Sequence, residues 1–381
     1  MLGLGNSLTS ASYIGFTNTY SLDFDGTNDY VDCGVNTHSI ATFSLSLWFS
    51  CSNATDTTNN ALITFGDSNT AHFTLSVYNQ EIYTTYENGS GDVRTTTDNL
   101  DLFENDEWYH LVCSNSSGTL TWYVNGSAVT VATSQTLTAQ SCGDLFEIGR
   151  NDNKSANFNG NIDEVAIWNT ALSAGSVSNI YNNGVPTDLL ADSNSANLQG
   201  WWRMGDGTLD DFNLIADQVN PTLATEEIND GDFTTTGTQA TDTQGAVWET
   251  ETGWTIASGK ATLTNPASAG YDLVNSLSSS NDNTAVAGKI YKCQYEIESL
   301  SASSGTATVR TRIGSVDGAD HTTTGIKTDY ILATATNAFR MRSGSGFTGT
   351  LVVKNITVKA VNGNPGLMTN MASDDIVKDT P

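Results

Sequence analysis

FEIGRNDNKSANFNGNIDEVAIWNTALSAGSVSNIYNNG, residues 146–184, is the stretch on which the reading of this chain turns. It spells a strand, a glycine-bearing loop, a second strand and a short capped helix, an order few folds share. Ile162, Val165, Ile167 and Trp168 make the second strand apolar. Ser173 carries the hydroxyl that accepts from first-turn amides, and Val177, Ile180 and Tyr181 then recur at helical spacing. Asn183-Gly184 supplies the left-handed stop. Working outward, SLDFDGTNDYVDCG (21–34), FSLSLWFS (43–50) and EWYHLVCSNSSGTLTWYVNGSAV (107–129) add strands of the same character. Thr119 to Val131 is a hairpin about Asn125-Gly126, a pair that tolerates positive φ at both turn positions.

The rest of the chain follows this pattern. Runs rich in Thr, Val, Tyr and Phe alternate with turns such as Asp25-Gly26, Asn88-Gly89 and Asn159-Gly160, and helical periodicity is confined to residues 173–183. The fold class is all-β, with two antiparallel β-sandwich jelly rolls in tandem. A length of 381 residues suits two or three domains, and 34 aromatic side chains (8 Trp, 13 Tyr, 13 Phe) can fill two interiors.

The four motifs between residues 20 and 184 resemble the laminin-G-like, concanavalin-A-like jelly-roll family, which implies a lectin-like sandwich and a common use of calcium. A second unit opens at EEINDGDFTTTG (226–237). It continues through WETETGWTIASGKATLTN, YKCQYEIESLSASSGTATVRTRIG and FTGTLVVKNITVKAV to Val361, and is similar to carbohydrate-binding-module jelly rolls of the family 4/9 type. LQGWWRMGDGTLDDFNLIADQ (198–218) and PGLMTNMASDDIVKDTP (365–381) resemble one continuous stretch that ends laminin-G-like structural proteins of tailed bacteriophages, with the second jelly roll spliced into it. The expected layout is an N-terminal arm at 1–19, a first jelly roll at 20–185 and a connecting segment at 186–225. A second jelly roll at 226–362 and a tail at 363–381, folded back beside Trp201–Met204, complete it.

Formal charge is −27, and residues 1–200 hold only Arg94, Arg150 and Lys154 against 21 acidic side chains. Such a surface repels phosphate backbones and anionic membranes, so neither nucleic acid nor membrane insertion is expected. No stretch approaches the roughly 20 apolar residues of a membrane helix. The start, MLGLGNSLTSASYIGF, lacks the basic and apolar regions of a secretion signal. Cys33, Cys51, Cys113, Cys142 and Cys293 show no metal-ligand spacing, and their odd number argues for buried thiols.

Three chemistries are candidates. Asp25, Asn28 and Asp29 cluster at a tight turn and Asp163 sits in NGNIDE. Oxygen donors of this kind suit calcium, although turns also favour Asp and Asn for conformational reasons. For glycan stacking and hydrogen bonding the second unit offers Trp248, Tyr271, Tyr330 and Arg340, with Trp254 assigned to the core and Trp248, beside two glutamates, to the surface. Core filling competes for each of these aromatics. Arg310 and Arg312, at i and i+2, share one face of a strand and suit an acidic sugar or an acidic neighbouring subunit. Catalysis has no visible carrier: Asp163 and Glu164 are adjacent, hence on opposite faces of a regular strand, and His110 lies in the apolar run WYHLVC as a packed residue.

The expectation is therefore a non-enzymatic virion surface protein of a tailed bacteriophage: a capsid decoration, head-fibre or tail-fibre subunit. It would assemble in the host cytoplasm, with other capsid or tail proteins as partners, host-surface glycans as weak ligands and homo-oligomeric or multivalent display. A bacterial cell-surface or secreted carbohydrate-binding protein is the alternative, and a polysaccharide depolymerase the third reading.

Overall fold

A computed structural model describes residues 16–34, 38–39, 42–66, 72–87, 92–96, 101–130, 141–142, 146–234, 247–251, 253–264, 272–275, 285–344 and 348–381. The chain is nearly all antiparallel strand. The first sandwich has two eight-stranded sheets. In one, Thr119–Val124, Trp108–Ser116, Thr42–Cys51, Asn159–Trp168 and Ser21–Asp25 lie side by side in that order. In the other, Tyr30–Asp32, Phe146–Ile148, Asn60–Phe65 and Phe73–Tyr78 do the same. Inward residues of both, among them Leu22, Phe24, Leu47, Phe49, Ile63, Phe65, Phe146 and Trp122, form one core. The Asn125-Gly126 hairpin forms as its sequence demands, with φ of +49° and +74°. A side chain at Gly126 would meet the Tyr181 ring at 2.7 Å, so the turn also fits only glycine beneath the helix.

The first sheet is covered on its outer face as well, which is why Thr42–Cys51 is buried along nearly all its length. Its cover is the helix Ala174–Tyr181. Ser173 caps it by accepting from the Ser176 amide at 3.1 Å, and Asn182 ends it in the left-handed conformation, one residue before the expected stop. Val177 and Ile180 pack with Trp168, Leu198 and Trp201 into a second, smaller core. The serines alternating along FSLSLWFS face this layer and are satisfied there. Ser44 Oγ donates to the Thr170 carbonyl and accepts from the Leu172 amide, and Ser46 Oγ pairs with His110 Nε2 at 2.8 Å. His110 is buried, as its apolar run suggested, and burial lowers its pKa to about 3.

The second sandwich packs two five-stranded sheets around Trp248, Trp254, Tyr295, Phe339, Met341 and Leu351, with the long strands Ile290–Ser304 and Thr348–Ala360 paired. It is nested in the first rather than following it. The chain enters and leaves through a two-stranded neck, where Ala224 N–H donates to the Ala360 carbonyl and Asn362 N–H to that of Thr222. Beyond the neck, Gly366–Thr369 inserts between Leu214–Ile215 and Tyr30–Asp32, and Ile376–Val377 pairs with Ser21 and Leu22. The tail thus adds a strand to each sheet of the first sandwich. Trp202 Nε1 donates to the Asn364 carbonyl at 2.7 Å, fixing the tail beside the Trp201–Met204 segment.

Cys33, Cys51, Cys113 and Cys293 are buried free thiols, and burial pushes Cys51 up to about 11. Among the described residues no helix is long and apolar enough to cross a membrane.

Candidate functional site

Strand ends and the loops between them decide where a sandwich can bind. At one end of the first sandwich Asp25 and Asn159 are paired at the edge of their ladder, Cys51 ends its strand and Asn60 opens one in the facing sheet. The loops leaving these positions, 25–29, 52–60 and 151–159, border an open cavity of about 430 Å³. Asp25 closes its own turn: its Oδ1 accepts from the Thr27 and Asn28 amides at 2.7 and 3.3 Å. Gly26 (φ +74°) lets that turn approach Asn159, since a Cβ there would lie 2.9 Å from the Asn159 side chain. Asn157 Nδ2 donates to the Thr27 carbonyl at 2.7 Å, tying the first and third loops together, and Asn60 Nδ2 donates to that of Thr58 at 3.3 Å within the second. Ser155 is fixed by the Asn151 and Asn153 side chains.

The lining is therefore amide and hydroxyl: Asn53, Thr58, Asn59, Asn60, Ser155, Asn157 and Asn159 with one carboxylate, and no aromatic among the described residues. Asn59 Oδ1 is buried and has no hydrogen-bond partner. A buried acceptor left unpaired costs about 1–3 kcal/mol. Amides both donate and accept, which matches the two-way bonding of sugar hydroxyls.

Of the residues proposed for calcium, Asp25 alone lines this cavity. Asn28 reaches the tail through its carbonyl, which accepts from Asn370 Nδ2 at 2.9 Å. Asp29 is buried, its Oδ2 accepting from the Asp25 amide at 3.1 Å, and burial raises its pKa. Asp163 lies four ladder positions from Asn159, about 13 Å along the strand, and cannot share a shell with Asp25. Calcium takes six to eight oxygens. The four residues do not assemble such a set, and no group of three or more His, Cys, Asp or Glu that could hold a metal occurs among the described residues.

Asp163 instead belongs to a buried polar knot. The strand Asn159–Trp168 breaks register between Asp163 and Ala166, with Glu164 at φ +50°. This bulge corrects the expectation that Asp163 and Glu164 point to opposite faces. Ile162 and Val165 both face the main core, so the two acids between them share the outer side. Asn18 Nδ2 donates to Asp163 Oδ2 at 2.7 Å, while Glu164 accepts from Trp201 Nε1 at 2.6 Å and Arg203 Nε at 3.0 Å. Burial and the neighbouring Glu164 push Asp163 well up, and burial pushes Glu164 up to about 7 against the pull of Arg203.

The proposed glycan residues do not converge. Trp248, expected at the surface, is fully buried with its Nε1 donating to the Asp230 carbonyl at 3.0 Å and its ring against Phe233. Two flanking glutamates misled the assignment: on a strand, Glu249 points out because Trp248 points in. Trp254 is core, as assigned. Tyr330 is buried at the junction of the sandwiches, its hydroxyl 3.3 Å from Asp211 Oδ2. Arg340 is engaged with Asp272 at 2.8 Å, and Tyr271 lies outside the described residues. The loop-end cavity itself went unread, although a signal was there in the asparagine density of SNATDTTNN and NDNKSANFN.

Residues 25–178 match the family described as the Concanavalin A-like lectin/glucanases superfamily, laminin-G type. The first sandwich is similar over these residues to concanavalin A-like jelly rolls. Solved structures similar to the chain include a heptameric pentraxin of Limulus polyphemus (16% identity, 46% of this chain and 90% of that one, TM-score 0.35). A putative carbohydrate-binding protein of Bacteroides ovatus is similar at 17% identity, over 53% of this chain and 56% of that one, with TM-score 0.37. Domain 4 of an extracellular arabinanase from Geobacillus stearothermophilus, in complex with arabinotriose, is similar at 18% identity, over 44% and 82%, with TM-score 0.34. No curated protein matches the chain.

Proposed function

We propose that this chain is a non-enzymatic glycan-binding protein whose concanavalin A-like sandwich takes a sugar unit at the loop-end cavity. The observation that carries the reading is the cavity's lining of amide and hydroxyl side chains contributed by three loops. Without an aromatic platform, single-site affinity is weak and multivalent display supplies retention. The adjacent carboxylates a depolymerase would use, Asp163 and Glu164, lie beneath Asn18, Trp201 and Arg203 and do not reach a substrate. Glycan-array binding followed by titration tests this. Asn59→Ala and Asn157→Ala are each expected to weaken the best glycan at least tenfold with an unchanged unfolding midpoint, and EDTA to leave binding unaltered. Retained affinity in both variants would refute the cavity as the site.

The setting we propose is the surface of a tailed-phage particle. There, other virion proteins anchor the chain after assembly in the host cytoplasm, and host-surface glycans are the ligand. Its support is the resemblance carried by Trp201–Gly207 and the tail. Mass spectrometry and cryo-electron microscopy of purified particles decide it. A stoichiometric copy on the outer surface supports the setting, and absence from particles transfers the same glycan-binding role to a bacterial cell-surface or secreted protein.

A further inference from the structure

Four of the seven arginines of this chain, Arg310, Arg312, Arg340 and Arg342, stand on one outward sheet face of the second sandwich. The strands Val309–Ile313 and Phe339–Ser343 are paired so that Arg310 faces Arg342 and Arg312 faces Arg340, a square of guanidinium groups. Like charges directly opposite on neighbouring strands are destabilising, so such an array needs a compensating interaction. Part of it comes from within. Asp272, 2% exposed, stands directly opposite Arg342 on the next strand of the same face and accepts from Arg340 Nη1 and Arg342 Nε, both at 2.8 Å, and from Arg342 Nη2 at 3.3 Å. Asp317 accepts from Arg312 Nη1 at 2.8 Å, and Asp320 lies 3.1 Å from Arg310 Nε.

These contacts orient the groups without using them up. Each guanidinium offers five donors, and the arginine side chains remain 29–39% exposed. Asp272 engages its two arginines from the side, and the donors it does not use are left for planar, two-pronged recognition of an oxyanion. None of the exposed large apolar side chains (Tyr78, Val185, Leu190, Phe212, Val219, Val286, Ile326) lies on this pair of strands. A protein interface uses such anchors at its centre; an anionic sugar chain does not.

We propose that the arginine square is a second binding site, separate from the loop-end cavity, for an acidic polysaccharide held through its carboxylate or sulfate groups. On a chain of charge −27 it is the place where a polyanion can land, and its affinity falls steeply with salt.

The test is titration of the full chain with polygalacturonate, dextran sulfate, neutral dextran and poly-L-glutamate at two salt concentrations. Arg310→Gln with Arg312→Gln is the informative variant. Its partners Asp317 and Asp320 are 31% and 51% exposed, so no buried charge is stranded and the fold, checked by thermal unfolding, is retained. Lys260→Gln with Lys354→Gln removes the same charge from the opposite sheet. At least one acidic polysaccharide is expected to bind, about tenfold or more weaker in the arginine variant and within twofold of the parent in the lysine variant. Carboxylate and sulfate polymers are told apart by which binds tighter. Failure of both acidic polysaccharides to bind overturns the proposal, as does equal loss in the two variants. Poly-L-glutamate binding as tightly as polygalacturonate would replace it with an acidic protein partner.

Discussion

The two sandwiches share buried carboxylate–arginine pairs but differ in what they add to them. In the first sandwich, two arginines are paired inside: Arg150 holds Glu147, whose side chain is 1% exposed, and lies 3.3 Å over the Tyr30 ring, and Arg203 holds Glu164 at 4%. The inserted sandwich has one such buried carboxylate, Asp272 at 2% exposed with Arg340 and Arg342, and adds exposed pairs, Arg312 with Asp317 and Arg310 with Asp320, that sit about one third or more exposed. Buried charges are costly to strand, whereas exposed ones gain little from pairing. The first set therefore maintains a structure and the second shapes a surface.

The strongest way to break this contrast is to remove one arginine from each sandwich. Arg203→Ala strands Glu164 and frees the Thr17 and Asp206 carbonyls, so a loss of about 3–5 kcal/mol in denaturant unfolding is expected. Arg312→Gln should change stability by less than about 1 kcal/mol. Equal effects would abolish the distinction.

A pH series sharpens it. Asp163, Glu164, Asp29, Glu147, Asp210 and Asp217 all have raised pKa values, chiefly through burial, with Asp210 at about 6 and Glu164 at about 7. All six belong to the first sandwich and its connecting segment. The folded state there holds protons that the unfolded chain releases near its ordinary carboxylate range. The contribution of these carboxyls is thus fully present below about pH 4 and is lost as pH rises through 6 to 7, by about 1.4 kcal/mol per pH unit for each proton concerned, while His110, lowered to about 3, acts in the opposite sense below its ordinary pKa of 6.5. Unfolding midpoints at pH 6.5 and 8, above the range in which His110 contributes, should fall in that order, and Glu164→Gln should flatten the slope. A midpoint that rises with pH would contradict the burial of these groups.

The smallest effect is local. Ser173→Ala removes the helix cap at a cost of about 1 kcal/mol, and should loosen the outer cover of the first sheet without touching the second sandwich. Amide exchange confined to residues 174–182 is the expected signature.

These tests also mark where sequence reading succeeds. The strand, helix and hairpin of the first sandwich were legible because alternation, a serine cap and Asn-Gly are local signals. Trp248 was misjudged because composition beside a residue says less than the phase of its strand. The bulge at Glu164 had no signal, since the pattern Ile-Asp-Glu-Val looks the same with or without an extra residue in the ladder. The loop-end cavity is assembled from three loops distant in sequence, and only the fold brings Asn59 to Asn157. The arginine square was half visible, as Arg310 and Arg312 at i and i+2; register supplied Arg340 and Arg342.

The nested arrangement fixes an order of events in synthesis. Ser21 and Asp379, which bond across the finished first sheet, are 358 residues apart in the chain. A ribosome must release the whole inserted sandwich before the strands that complete both sheets of the first exist. Until then Ser21–Asp25 and Tyr30–Asp32 present open edges, and the inserted unit, already able to close on its own strands, holds the neck through which the tail returns. Folding from inside outward keeps the late strands close to their slots, and shortens the search that so distant a contact would otherwise require.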